Sequence, residues 1–178
     1  MILEEAVRLL QDEGLDALTV RRLAARLGVE APSLYKHFPS KRRLLGQVTV
    51  HLLAAQVDQV EDRGSWQEWL MDMGRVFWST QTRIRDSARL VATTDFDAAQ
   101  LDLMASLLRT RLKRYDIDDE TATSMHFGVQ ALVLGLSVLA EGRSADLMRE
   151  VVPFDAILES SLQALISGWE TTLLNRKS

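Results

Sequence analysis

Seven basic side chains fall between positions 21 and 43 (Arg21, Arg22, Arg26, Lys36, Lys41, Arg42 and Arg43), and only Glu30 opposes them. The local balance is +6 in a chain whose net charge is −4. Cations concentrated in this way neutralise phosphate, and an arginine fork can also pair bidentately with the major-groove edge of guanine. The chemistry on offer is recognition of a nucleic acid. Bond-making chemistry lacks its usual parts: there is no cysteine, no glycine-rich phosphate loop, no pair of histidines at ligand spacing and no serine in a nucleophile elbow. Asp118, Asp119 and Glu120 form an acidic cluster, but at a helix start such residues offset the helix dipole. No enzymatic activity, metal or cofactor is expected.

Short helices must present these cations. Thr19 stands where an N-cap is wanted, and Val20, Leu23, Ala24 and Leu27 recur on one helical face. Gly28 stops that helix, because glycine takes the left-handed backbone of a C-cap without strain. Pro32 sits near the first turn of a second helix, to which Leu34, Tyr35 and Phe38 give an inner side. Two short helices joined by a tight turn make a helix-turn-helix over about residues 19–38. Ile2 to Leu10 forms a preceding helix, closed by Gly14, that packs across both. The side chains able to reach DNA are Ala31, Pro32, Ser33, Tyr35, Lys36 and His37, with Arg21 and Arg22 projecting from the first helix of the motif. Thr19, Tyr35, His37 and Lys41 suit phosphate, which gives affinity and orientation, and Arg21 is the candidate base reader.

The run from Leu18 resembles the DNA-binding domain of the tetracycline-repressor (TetR) family of bacterial regulators. The resemblance rests on Leu18-Thr19, Leu27-Gly28-Val29, Leu34-Tyr35-Lys36-His37-Phe38 and Lys41, and spans roughly residues 2–47. It implies a three-helix DNA-binding domain over residues 1–47 and a helical effector-binding and dimerisation domain over 48–178. It also implies a homodimer on a palindromic operator, released by a small molecule. Similarity to the family's founding repressor supports base reading by Arg21. Ala31 replaces a glutamine of that repressor and Lys36 an aromatic, so the operator is expected to differ. Leu90 stands near where that repressor places a histidine against magnesium-chelated drug, so a metal–tetracycline effector is not expected.

The rest of the chain reads as all-α, since prolines are confined to positions 32, 39 and 153 and apolar residues recur at three and four. Ser40 is placed to cap a long helix with Leu44, Leu45, Val48, Leu52 and Val57 on its buried face, ended by Asp62-Arg63-Gly64. The charge changes sign along it: residues 1–47 hold 8 basic and 6 acidic residues, net +2, and residues 48–178 hold 13 and 19, net −6. Ser65-x-x-Glu68 is a capping box ahead of Trp66, Trp69, Leu70, Met73, Phe77 and Trp78. A polar break over Thr80 to Asp86, a short helix from Ser87 to Ala92 and a cap at Thr93-Thr94-Asp95 come next. Asp118-Asp119 opens a helix nearly all apolar from Met125 to Leu139, and Pro153 precedes a last helix with the stripe Phe154, Ile157, Leu158, Leu162, Leu165, Ile166 and Trp169. These two helices offer more apolar surface than a small body hides. A second copy that completes a four-helix bundle is the simplest cover.

Trp78, Phe77, Met104, Met125 and His126 are the candidates to line an apolar effector cavity, which flat rings and flexible methionines suit. Ordinary core packing explains the same residues. Two other functions fit the sequence: a helical ligand-binding or enzymatic protein with a vestigial motif, and a DNA-binding dimer without an effector. No uninterrupted apolar run reaches membrane-spanning length and no secretory signal pattern opens the chain, so a cytoplasmic protein with no membrane partner is expected.

Overall fold

The computed structural model describes residues 1–177, and every regular element in it is helical. The ten α-helices are α1 Ile2–Glu13, α2 Val20–Leu27, α3 Ala31–Tyr35, α4 Lys41–Gln59, α5 Trp66–Arg83, α6 Ser87–Thr93, α7 Ala98–Leu112, α8 Asp119–Glu141, α9 Ala145–Val151 and α10 Phe154–Lys177. Single 3-10 turns follow α1 and α7, at Leu15–Ala17 and Lys113–Tyr115.

The chain divides into two compact units, Met1–Ala55 with Thr80–Ser106, and Gln56–Ser79 with the chain from Leu107 onward. In the first, Leu9 and Leu10 of α1, Leu18, Leu23 of α2, Leu34 and Phe38, and Leu44 and Val48 of α4 share one buried core with Ile84 and Leu90. Each such side chain contributes about 1.5–3 kcal/mol of burial, which is how helices too short to persist alone are held. In the second, α8 and α10 pack closely because α8 has glycine at 128: a Cβ there would come within 2.8 Å of the Trp169 ring. Gly74 of α5 makes room in the same way for Leu162 of α10.

Several local expectations hold. Thr19 Oγ1 accepts the Arg22 N–H at 3.2 Å, and Ser40 Oγ accepts the Arg43 N–H at the same distance. Asp118 Oδ1 accepts the Thr121 N–H at 2.9 Å to open α8. Ser65 Oγ accepts the Glu68 N–H at 3.1 Å, although the Ser65 hydroxyl, not its backbone N–H, answers the Glu68 carboxylate.

Others are corrected. The polar break is shorter than Thr80–Asp86, since Thr80 and Gln81 are buried and α5 continues to Arg83. Thr93-Thr94-Asp95 does not cap α7: the Thr93 and Thr94 hydroxyls donate back to the Arg89 and Leu90 carbonyls, and Asp97 Oδ1 takes the capping role by accepting the Gln100 N–H. Helix α4 stops at Gln59, before Asp62-Arg63-Gly64. Tyr35 is exposed and not on an inner side. The α10 stripe is largely covered by its own chain, with Phe154, Leu158, Leu162 and Ile166 buried. What stays bare is α8, where Phe127, Ala131, Gly135 and Val138 form an exposed row at helical spacing. Helix α8 is also long and apolar enough, by length and composition alone, to cross a bilayer, because polar residues interrupt it too sparsely to lower its mean hydropathy.

Candidate nucleic-acid interface

Helix α2 is bounded at both ends by the residues that its sequence supplies for the purpose. Thr19 starts it, and Gly28, at φ 66°, ends it with the paired bonds of a Schellman turn, Gly28 N–H to the Ala25 carbonyl at 3.2 Å and Val29 N–H to the Ala24 carbonyl at 3.1 Å. Nothing lies within 4 Å of a Cβ at Gly28, so the requirement there is conformational and not steric. Helix α3 is only five residues long, begun by Ala31 and Pro32 and ended when the Phe38 N–H returns to the Leu34 carbonyl at 2.8 Å. Leu34 and Phe38 are both buried and anchor it.

The sequence-predicted site residues divide by what they already touch. Arg21, Pro32, Ser33, Tyr35, Lys36, His37 and Lys41 are exposed, while Thr19 and Ala31 are half-buried, the Ala31 methyl packed on the core. Ser33 Oγ is engaged with the Glu30 carbonyl at 2.9 Å. Arg22 is exposed but committed: its Nε donates to Glu13 Oε2 at 2.8 Å. That bond and the attraction of the guanidinium hold the Glu13 carboxyl below its ordinary range and raise the Arg22 guanidinium above its own.

The same fate meets most of the cationic run. Arg26 donates to Glu5 and to Asp12, each at 2.8 Å. Arg42 pairs with Asp95 at 2.9 Å, and Arg43 pairs with Asp97. Of the seven cations, Arg21, Lys36 and Lys41 make no ion pair among the described residues. Sequence reading had counted only the local excess. The partners Glu5, Asp12 and Glu13 stand one α-helix away, and Asp95 and Asp97 stand more than 50 residues away, so no spacing rule reaches them.

Further polar contacts, also missed, tie α6 to the turn between α1 and α2. Asp86 Oδ2 accepts the Leu15 N–H at 2.8 Å, and Arg89 Nη2 pairs with Asp16 at 3.0 Å, which holds the Asp16 carboxyl below its ordinary range. Gly14, at φ 85°, has no room for a side chain, since a Cβ would fall 2.8 Å from Asp86 Oδ2.

Residues 2–48 match the model of the family described as bacterial regulatory proteins, tetR family. The structure of a TetR variant from Acinetobacter baumannii AYE in complex with minocycline superposes with a TM-score of 0.72 at 29% identity, covering 96% of this chain and 95% of that one. The N-terminal helices thus match the TetR family, and the whole chain is similar in fold to TetR structures. Another TetR-family structure, the class A repressor in complex with 5a,6-anhydrotetracycline and magnesium, superposes with a TM-score of 0.67 at 28% identity over 96% of each chain. Among curated members, the tetracycline repressor protein class D of Escherichia coli is 37% identical over 110 residues, 61% of this chain and 50% of the repressor. The chain thus spans about half the length of the curated tetracycline repressors that it matches. An uncharacterized HTH-type transcriptional regulator of Mycobacterium bovis is 25% identical over 92% of this chain and 79% of its own length.

Of the candidate effector residues, Phe77, Trp78, Met125 and His126 belong to the second unit. Phe77 and Met125 are fully buried, and His126, 3% exposed, meets the Phe77 ring edge-on at 6.0 Å. Burial pushes the His126 imidazole down to about 4, so it is neutral near pH 7, and its Nδ1 has no hydrogen-bond partner. Trp78 is half-buried with its indole N–H donated to Asp155 at 2.6 Å, a structural bond. Met104 belongs to the other compact unit. Leu90, in the place compared with the founding repressor's histidine, is a fully buried core residue. Among the described residues no group of histidine, aspartate and glutamate is placed to hold a metal ion.

Proposed function

We propose that this chain is a homodimeric transcriptional repressor that grips double-stranded operator DNA through two copies of its 1–47 head and is released by a small apolar effector held in the 48–178 body. The observation that carries the reading is the set of exposed, unpaired cations Arg21, Lys36 and Lys41 around a helix-turn-helix capped at both ends of α2. Arg21 reads a base edge. Lys36, His37, Lys41, Tyr35 and the Thr19 and Ser33 hydroxyls meet phosphate and sugar, and Ala31 and Pro32 give apolar contact. Arg22 serves mainly to hold α2 against α1 through Glu13. A location in the cytoplasm and the absence of catalysis belong to the same reading.

Dimerisation is carried by the bare row on α8, where Phe127 is 56% and Val138 63% exposed with Gly135 between them. A self-complementary apolar face on a two-fold axis is the common solution for such a helix. The effector sits by His126, whose buried, unpartnered Nδ1 would accept a hydrogen bond from it beside Phe77 and Met125. Ligand names borne by the relatives concern tetracyclines, and the Leu90 position argues against the magnesium-chelated form here.

Selection of bound fragments from the source genome tests the function. Enrichment of a palindromic sequence with half-sites about one or more helical turns apart is expected, and recovery of sequence-random DNA would contradict it.

A further inference from the structure

We propose that a groove within the first unit, between α1, the N-terminal half of α4 and the start of α7, binds a small amphipathic carboxylate. The site goes beyond the DNA-binding reading and stands without it. Its volume is about 350 Å³, within the range that small-molecule sites occupy. Leu3, Val50, Ala54 and Leu103 give it apolar walls. Its polar positions are Arg43, Gln47, His51 and Gln100, and no carboxylate lines it.

Gln100 fixes what the polar end of a ligand must be. Asp97 Oδ1 accepts the Gln100 N–H at 2.9 Å, and Gln100 Oε1 accepts the Asp97 N–H at 3.1 Å, a reciprocal capping box at the start of α7. The oxygen is therefore committed, and flipping the amide would break the box. The whole amide packs against α4, where a Cβ on Gly46 would lie 2.3 Å from its nitrogen and 2.5 Å from its oxygen. That Nε2 is buried and has no acceptor. An unmade hydrogen bond of this kind is unfavourable, and native proteins rarely leave one without a use. An incoming carboxylate is the acceptor that the nitrogen lacks. The Arg43 guanidinium, which also pairs with Asp97, and the His51 ring add donors, while hydrocarbon lies along Val50, Ala54 and Leu103.

The test is methyl NMR on the full chain, labelled at Leu, Val and Ala, titrated with octanoate and in parallel with 1-octanol. Saturable shifts at Leu3, Val50, Ala54 and Leu103 are expected, with octanoate the tighter ligand. Gln100→Glu keeps an oxygen for the capping box but replaces the free donor with a repelling carboxylate. It should weaken octanoate by about tenfold or more and leave 1-octanol unchanged. Ala54→Trp should fill the groove and abolish both, and a melting curve on each variant separates loss of the site from loss of the fold. Shifts confined to the second unit, equal affinity for the two probes, or octanoate binding unaffected by Gln100→Glu in a folded protein would each overturn the proposal.

Discussion

In the unit that carries the helix-turn-helix, folding cancels most of the charge that the sequence concentrates, whereas along the outer row of α8 it leaves most of the apolar surface bare. Four of seven cations between positions 21 and 43 find carboxylates, leaving Arg21, Lys36 and Lys41 unpaired. Phe127, Val138 and Leu139 stay at 56%, 63% and 47% exposure. The difference lies in what each kind of group can use. An exposed ion pair is worth at most about 1 kcal/mol but needs only one partner, and acidic residues are plentiful on α1 and after α6. An apolar row needs a whole opposing surface. Residual charge on the head and residual oil on α8 are therefore two features left open to partners.

The largest expected effect breaks the second feature. Val138→Glu places a charge in the middle of the α8 row, and in a two-fold interface it does so twice. Dimerisation should weaken by about 3–6 kcal/mol, enough to leave monomer at micromolar concentration in sedimentation equilibrium. An unchanged dimer would place the interface elsewhere.

His126 gives the next. Its imidazole sits near 4 in the folded chain against an ordinary 6.5, so the folded state binds the proton less readily than the unfolded one. Stability is then full above pH 6.5, falls as pH drops toward about 4 and levels below it. The total loss is about 3 kcal/mol. Urea midpoints measured over that window should flatten in His126→Phe, which keeps an aromatic ring beside Phe77. Equal pH dependence in the variant would assign the loss to other groups.

A smaller contrast sharpens the first feature. Arg21→Ala should lower the preference for operator over random DNA by about 1–3 kcal/mol, measured by competition binding. Arg22→Ala, whose guanidinium already serves Glu13, should leave that preference nearly intact and instead loosen α2 on α1. Equal effects on specificity would show that ion pairing does not sort the cations.

How much of this was legible follows from the range of each signal. Thr19, Gly28, Ser40 and Asp118 act on backbone groups three or four residues away, so sequence reading placed the helix ends that they govern. Asp97 was overlooked in favour of Thr93-Thr94-Asp95 because both are polar clusters. Only the reciprocal partner Gln100 distinguishes them, a capping box with aspartate in place of serine. Thr80 and Gln81 looked like a break because polarity was read as exposure, yet tertiary packing buries both. The pairs Arg42–Asp95 and Arg89–Asp16 join residues 53 and 73 positions apart, and no periodicity encodes them. Sequence reading could thus name the candidate cations by type alone. Their availability was a property of the fold.

The salt dependence of DNA binding tests that availability most directly. Lys36 and Lys41 on phosphate in each head, four cations in a two-headed complex, predict that log K against log salt falls with a slope of about −4. A slope near zero would contradict phosphate recognition by the head. One near −13, the value if all seven cations of each head engaged phosphate, would contradict their neutralisation by Glu5, Asp12, Glu13, Asp95 and Asp97.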